Sequence, residues 1–211
     1  MTIYYPMMMK LWGRPCVVIG GGKVAERKVA SLLEAGGEVT LISSVLTPRL
    51  SSLVKAELIR QIPRQYRKGD LAGAFLCVVA TNDRTLQKQV AQDAREEGVL
   101  ANIVDSEESC DFLVPSYFRR GDLVVSISTG GKSPALAKRI RRDLEERFGW
   151  EYEALLKVLS SLRPRIVEEV KDPARRRSIL EKVADPELLD LVRETDPRSL
   201  PDKVWAYLMA P

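Results

Sequence analysis

The stretch CVVIGGGKVAERK, residues 16–28, runs a β-branched apolar strand straight into three glycines and then into a helical pattern. Gly20, Gly22 and Ala25 match G-x-G-x-x-G/A at a strand-to-helix junction. That chemistry needs those residue types: Gly20 permits the tight turn, Gly22 lets a pyrophosphate approach the backbone, and a small residue at 25 allows close helix–strand packing. The helix start offers free N–H groups and a positive dipole end to phosphates. A glycine-rich turn that binds nothing is the competing reading. The strand, helix and second strand in sequence favour a dinucleotide.

Outward from this turn, strands and helices alternate. Val24, Lys28 (through its stem), Leu32 and Ala35 repeat at helical spacing until Gly36-Gly37. EVTLIS (38–43) reads as a second strand, and a short helix begins near Thr47-Pro48 and runs through Leu50, Leu53 and Val54. ELIRQIP (57–63) reads as a third strand, and AFLCVVAT (74–81) as a strand buried on both faces. DRTLQKQVAQDAREEG (83–98) is helical, with Leu86, Val90 and Ala94 on one face, and VLANIVD (99–105) is the next strand. The pattern predicts an α/β fold with a Rossmann-type parallel sheet.

Past Asp105 the rhythm changes. FLVPSYF (112–118) and DLVVSIST (122–129) can pair as a hairpin, and SPALAKRIRRDLEERFG (133–149) is an amphipathic helix with Ser133 as N-cap and Pro134 at its first position. Beyond Trp150 strand signals stop. Leu155, Leu156, Val158 and Leu159, then Ile166 and Val170, then Leu188, Leu189, Leu191 and Val192 indicate helices punctuated by Asp172-Pro173, Asp185-Pro186 and Asp196-Pro197. The expected division is a nucleotide-binding domain over 1–113, a mixed segment over 114–149 and a small helical domain over 150–211.

Composition narrows the chemistry. The 211 residues include no histidine, which removes His-dependent triads, HExxH zinc sites and His general bases. Proton transfer then falls to Asp, Glu, Lys, Tyr or Cys. Cys16 and Cys77 lie in apolar strands, and neither they nor Cys110 show CxxC spacing, so no disulfide framework or metal site is expected. The opening MTIYYPMMMKLW lacks a basic start and a cleavage site, and no run reaches the roughly 18 apolar residues of a membrane span. A soluble cytoplasmic protein is the expectation. Tyr4, Tyr5 and Met7–Met9 are read as apolar packing under the first strand.

One part of the dinucleotide fingerprint departs from type. The second strand ends in Ile42-Ser43-Ser44, where an Asp or Glu ordinarily holds the ribose hydroxyls. Arg49 nearby leaves a 2′-phosphate open, so spacing alone admits NAD and NADP.

GGGKVAERK (20–28), ATND (80–83), NIVD (102–105) and SISTGGKSPALAKRIR (126–141), together with the opening YYP and KLWGRPCVVIGGG, form an ordered set. Over roughly residues 1–150 it closely resembles the precorrin-2 dehydrogenase family, the N-terminal type of siroheme synthase, which oxidises precorrin-2 to sirohydrochlorin with NAD+. The remainder is similar only in kind to the family's C-terminal domain. The resemblance implies a homodimer joined through the central segment, with Gly22, Lys23 and Val24 at the pyrophosphate, Ser44 and Val45 near the adenosine, and Thr81 and Asn82 near the nicotinamide. Asp105 matches the family's essential aspartate. Thr129 aligns with a serine that is phosphorylated in some relatives. Some relatives also insert iron into the product; without histidine such a step here rests on carboxylates, Asp105 first.

Two residue readings compete at Asp105. It precedes Ser-Glu-Glu and could cap a short helix with Glu108 reaching back. Alternatively it ends a parallel strand, where open α/β sheets place ligands, and accepts a proton during oxidation. The resemblance favours the second. Residues 115–150 hold eight basic and four acidic side chains, a net +4 equal to the whole chain's. That charge suits a polycarboxylate such as precorrin-2, with Lys132, Ser133 and Arg139 as candidate contacts. A solvated helix face is the bland alternative. Nucleic acid is not expected, since aromatics do not interleave the patch. An NAD(H)-sensing regulatory module and a dehydrogenase of a smaller acid are the competing classes; the first leaves STGGKSP unexplained and the second has no need of so basic a segment.

Overall fold

In the computed structural model, which describes residues 3–210, the chain divides into two compact units, Met1–Val114 and Pro115–Pro211. Residues 1, 2 and 211, which belong to the opening and closing stretches read above, lie outside the described residues.

The first unit orders β1 (Pro15–Ile19), α1 (Lys23–Glu34), β2 (Glu38–Ile42), α2 (Pro48–Lys55), β3 (Arg60–Ile62), β4 (Leu76–Val79), α3 (Arg84–Glu97) and β5 (Leu100–Ile103). The sheet is parallel throughout, in the order β3-β2-β1-β4-β5. This is the Rossmann-type arrangement, with the order reversing between β1 and β4. Alternate strand residues feed two separate cores. Val17, Ile19, Cys77, Val79 and Ile103 pack with Val90, Ala91 and Ala94 of α3, while Cys16, Val18, Leu41 and Val78 pack with Ala25, Val29 and Leu32 of α1 and Leu50 of α2. Both faces are covered, so the strand sequences read as unbroken apolar runs. Burial pushes the Cys77 thiol up to about 12, consistent with an inert core thiol.

Three local readings shift. The inward stripe of α1 is Ala25, Val29 and Leu32, turned one residue from the expected Val24, Lys28 and Ala35, and Lys28 is left half-buried. β3 begins only at Arg60, because Glu57 adopts a left-handed φ of 56° and the Leu58 N–H closes onto the Leu53 carbonyl at the end of α2. In the N-terminal strap, Met9 and Leu11 do pack on the α1-side core, but Tyr5, Met7 and Met8 are exposed. That strap has no regular structure, and Tyr4 is anchored by its hydroxyl donating to Glu107 Oε1 at 3.1 Å.

In the second unit β6 (Ser116–Arg120) and β7 (Leu123–Ile127) form the antiparallel hairpin, and α4 (Pro134–Arg147) packs across it. Four helices follow: α5 (Trp150–Glu169), α6 (Pro173–Glu181), α7 (Pro186–Glu194) and α8 (Leu200–Met209). Their core gathers Leu155, Leu162, Ile166, Leu188, Val192, Val204 and Leu208. Residues 115–149 fall in the same unit as these helices. Arg120 Nε donates to the Phe148 carbonyl at 2.9 Å, and Phe148 stacks between Phe118 and Tyr152, so hairpin, α4 and α5 lock together. Asp172 caps α6 through the N–H groups of Ala174 and Arg175, as its Asp-Pro pair suggests, whereas Asp185 precedes α7 without a side-chain cap.

Candidate active site

The carboxyl ends of β1, β4 and β5 converge where the strand order reverses, the edge at which open α/β sheets bind ligands. Gly20 leaves β1 with φ 113°, and a Cβ there would stand 2.3 Å from the Ala80 carbonyl oxygen at the end of β4. At Gly21 a Cβ would lie 1.8 Å from the Val45 carbonyl oxygen. Both positions therefore exclude any side chain. Gly22 differs: it is the extended N-cap of α1, and a Cβ there would meet nothing within 4 Å. No side chain caps α1, although Thr47 caps α2 and Asp83 caps α3. The first-turn N–H groups, lacking intrahelical partners by geometry, face a bare cradle. Ala25 is fully buried, as close helix–strand packing requires. This donor set fits a dinucleotide pyrophosphate, with Lys23 exposed and Val24 half-buried beside it.

The loop after β2 is folded onto the glycine turn. Thr47 N–H donates to the Gly21 carbonyl at 3.0 Å, and Thr47 Oγ1 donates to Glu26 Oε2 of α1 at 2.5 Å. Ser43 Oγ is occupied by its own turn, donating to the Val45 carbonyl at 2.7 Å. Ser44 and Val45 are exposed at the loop's tip, Val45 at 73%. Arg49 is exposed in the first turn of α2.

After β4, Thr81 is half-buried and Asn82 exposed. Asp83 Oδ1 accepts from the N–H groups of Thr85 and Leu86, so it starts α3. After β5, Asp105 is exposed, and its backbone is left-handed at φ 59°. The capping alternative is not formed. That left-handed turn redirects the chain before Ser106, and the short 3-10 helix Glu107–Ser109 that follows has no side-chain cap. Among the described residues the Asp105 carboxylate makes no hydrogen bond or ion pair, and only its carbonyl is held, by Arg84 Nη1 at 3.1 Å.

Gln87 was not singled out by sequence. It is buried beneath these loops, and its Nε2 donates to the Thr81 carbonyl at 2.7 Å and the Val104 carbonyl at 3.3 Å. The signal was available: Gln87 occupies a polar position on the stripe of α3 that also carries Val90, Ala91 and Ala94. Lys28 Nζ reaches across to Asn102 Oδ1 of β5 at 3.0 Å, and burial pushes its ammonium below the ordinary lysine range. Cys110 accepts from the Ile103 N–H at 3.1 Å, and burial, the largest influence, raises its thiol. Asp111 Oδ2 accepts from the Ala101 N–H at 2.8 Å. Cys110 and Asp111 thus edge β5.

In the second unit, Ser133 caps α4 by accepting from the Leu136 N–H at 3.2 Å, and its own N–H donates to Thr129 Oγ1 at 3.0 Å. Lys132 and Arg139 are exposed. Arg141 and Arg120 pair with Glu145, so part of the basic excess is neutralised locally. Among the described residues no cluster of three potential ligands could hold a metal ion, and no helix is long and apolar enough to cross a membrane.

Comparison with known proteins agrees with the fold. A family model described as "Putative NAD(P)-binding" matches residues 7–116, and one described as "Sirohaem biosynthesis protein central" matches residues 120–147. The siroheme synthase of Methylococcus capsulatus is 35% identical over 86% of this chain and 38% of its own length. That of Photobacterium profundum is 33% identical over 90% of this chain and 40% of its own. The chain thus spans about two fifths of these curated relatives. A solved structure named "SirC, precorrin-2 dehydrogenase" superposes with a TM-score of 0.80 at 28% identity, covering 97% of this chain and 100% of that one. The family model over residues 7–116 spans more than half of the chain and takes in the strand, glycine turn and helix described above, so the chain belongs to that NAD(P)-binding family, with a central segment that matches the sirohaem biosynthesis model.

Proposed function

We propose that this chain is an NAD+-dependent dehydrogenase that oxidises precorrin-2 to sirohydrochlorin. The observation that carries the reading is the shared sheet edge: the side-chain-free turn at Gly20–Gly22 and the unpaired carboxylate of Asp105 both stand at the carboxyl ends of the parallel strands. A bound nicotinamide supplies the hydride acceptor. The chain's own residues then bind, orient and handle protons. Gly20, Gly22, Lys23 and Val24 hold the pyrophosphate, Ser44 and Val45 border the adenosine, and Thr81 and Asn82 border the nicotinamide half. Precorrin-2 loses a hydride and a proton in this two-electron oxidation, and an Asp105 carboxylate oxygen takes the proton.

NAD+ is preferred over NADP+ in this reading, following the resemblance; the loop over residues 43–47 carries no basic side chain, and Arg49, exposed in the first turn of α2, is the position that would meet a 2′-phosphate. Lys132, Ser133 and Arg139 meet the substrate's carboxylates, with the 114–149 segment also forming a homodimer in the cytoplasm. Iron insertion into the product, where it occurs, relies on the same Asp105.

Asp105→Asn tests the assignment. Its exposed side chain makes no internal contact, so the variant should keep the wild-type Tm and NAD+ affinity while turnover falls by about 10²–10⁴-fold, the usual reach of a general base. Wild-type turnover in a folded Asp105→Asn protein contradicts it. Titration with NADP+ in the same assay should show the weaker affinity.

A further inference from the structure

The two loops assigned to the nicotinamide and to the proton acceptor are joined by one buried side chain. Gln87 Nε2 uses both of its protons, one on the Thr81 carbonyl at 2.7 Å and one on the Val104 carbonyl at 3.3 Å. Its Oε1 accepts from Arg84 Nη1 at 3.0 Å, and the same Nη1 donates to the Asp105 carbonyl at 3.1 Å. The amide orientation is fixed by chemistry, since carbonyl oxygens can only accept and a guanidinium can only donate. Gln87 is 5% exposed, whereas Arg84 stands at the surface. Neither residue is needed to start α3, because Asp83 already caps it. A polar side chain in an apolar stripe would otherwise carry an uncompensated burial cost. Here it spans the gap between β4 and β5 at their carboxyl ends and sustains the left-handed turn that presents Asp105.

We propose that Gln87, together with Arg84, is a positioning pair for precorrin-2 oxidation: it sets the Thr81–Asn82 loop and the Asp105 turn at a fixed separation, so that hydride acceptor and proton acceptor address the substrate together. This rests on the assignment of Asp105 above. Sub-ångström placement of reacting groups governs rate far more than affinity, so the pair acts on kcat.

The test compares Gln87→Met, Arg84→Met, Asp105→Asn and the Gln87→Met/Asp105→Asn double variant in the full-length protein, measuring Tm, NADH dissociation constant, kcat and KM. In Gln87→Met, kcat should fall about ten- to hundredfold while the NADH dissociation constant stays within about threefold, a split that a merely structural role does not produce. Arg84→Met, at an exposed position, guards against a folding failure and should lower kcat in the same way by a smaller factor. The double variant should be no slower than Asp105→Asn alone, because residues acting as a unit are non-additive. Unchanged kcat in either folded single variant overturns the proposal, as does a fully multiplicative double variant. Wild-type turnover in Asp105→Asn overturns instead the assignment beneath it, and the two failures are told apart by that one variant.

Discussion

An alanine at position 22 would put its Cβ where no protein atom lies within 4 Å, on a residue whose φ of −88° and ψ of −172° any amino acid adopts. The folded chain therefore has room for it. Alanine is a poorer N-cap than glycine by up to about 1 kcal/mol, and stiffening the unfolded chain returns about 0.4–1 kcal/mol. Net stability should change by less than about 1 kcal/mol, or about 2–4 °C in Tm for a chain of this size. Cofactor binding should respond quite differently. The methyl group fills the open side of the cradle and holds the phosphates off the first-turn N–H groups of α1. Each charge-assisted hydrogen bond lost removes about 1.5–3 kcal/mol, a factor of roughly 10–150 in Kd. Gly20→Ala and Gly21→Ala supply the contrast, because their Cβ atoms would overlap the Ala80 and Val45 carbonyl oxygens at 2.3 and 1.8 Å. Gly20 adds a φ of 113°. Both should lose at least about 1–3 kcal/mol of stability before any ligand is present. Thermal melts with NADH fluorescence titrations separate the cases. Wild-type NADH affinity in a folded Gly22→Ala protein would refute the placement of the pyrophosphate on this turn, and an unfolded Gly22→Ala would refute the open cradle.

Two further outcomes test the scaffold. Arg64 forks onto Asp70 at 2.7 Å through both nitrogens, and with the Arg67 N–H it holds that carboxyl below the usual carboxylate range. A depressed carboxylate contributes stability that is complete above its ordinary pKa and lost as pH falls through the lowered one. Asp70→Asn should therefore be less stable than wild type near neutrality in urea titrations, with the gap closing under strong acid; a gap that widens on acidification reverses the sign of this account. In the second unit, Leu188 is fully buried among α5, α7 and α8, so Leu188→Ala should cost about 2–5 kcal/mol in the same titration. A loss below about 1 kcal/mol would mean that this core is looser than its packing indicates.

The alternation of strands and helices was legible because a sheet covered on both faces imprints continuous apolar runs such as LCVV, and because Asp83, Ser133 and Thr47 cap helices through local chemistry. Finer placement was less legible. The stripe of α1 slipped by one residue because Lys28 has a long apolar stem and a polar partner in Asn102, so periodicity cannot say which of Lys28 and Val29 turns inward. The third strand was overextended because nothing in ELIRQIP marks Glu57 as left-handed; the condition comes from closing α2. At the site, Gly20 and Gly22 could be read from a motif, but the clash that makes Gly21 obligatory depends on the loop at Val45, far along the chain. Gln87 is of the same kind. Arg84 is its neighbour one turn away on α3, but the Thr81 and Val104 carbonyls it joins meet only once β4 and β5 have paired.

The central claim, that this chain oxidises precorrin-2 with hydride passing to NAD+, is met most directly by supplying precorrin-2 and NAD+ to the purified protein and following both products by absorbance. The account predicts that sirohydrochlorin and NADH rise together in equal amounts, and that both rise about 10²–10⁴-fold more slowly with Asp105→Asn. An intact wild-type protein that binds NAD+ yet forms no sirohydrochlorin would contradict it.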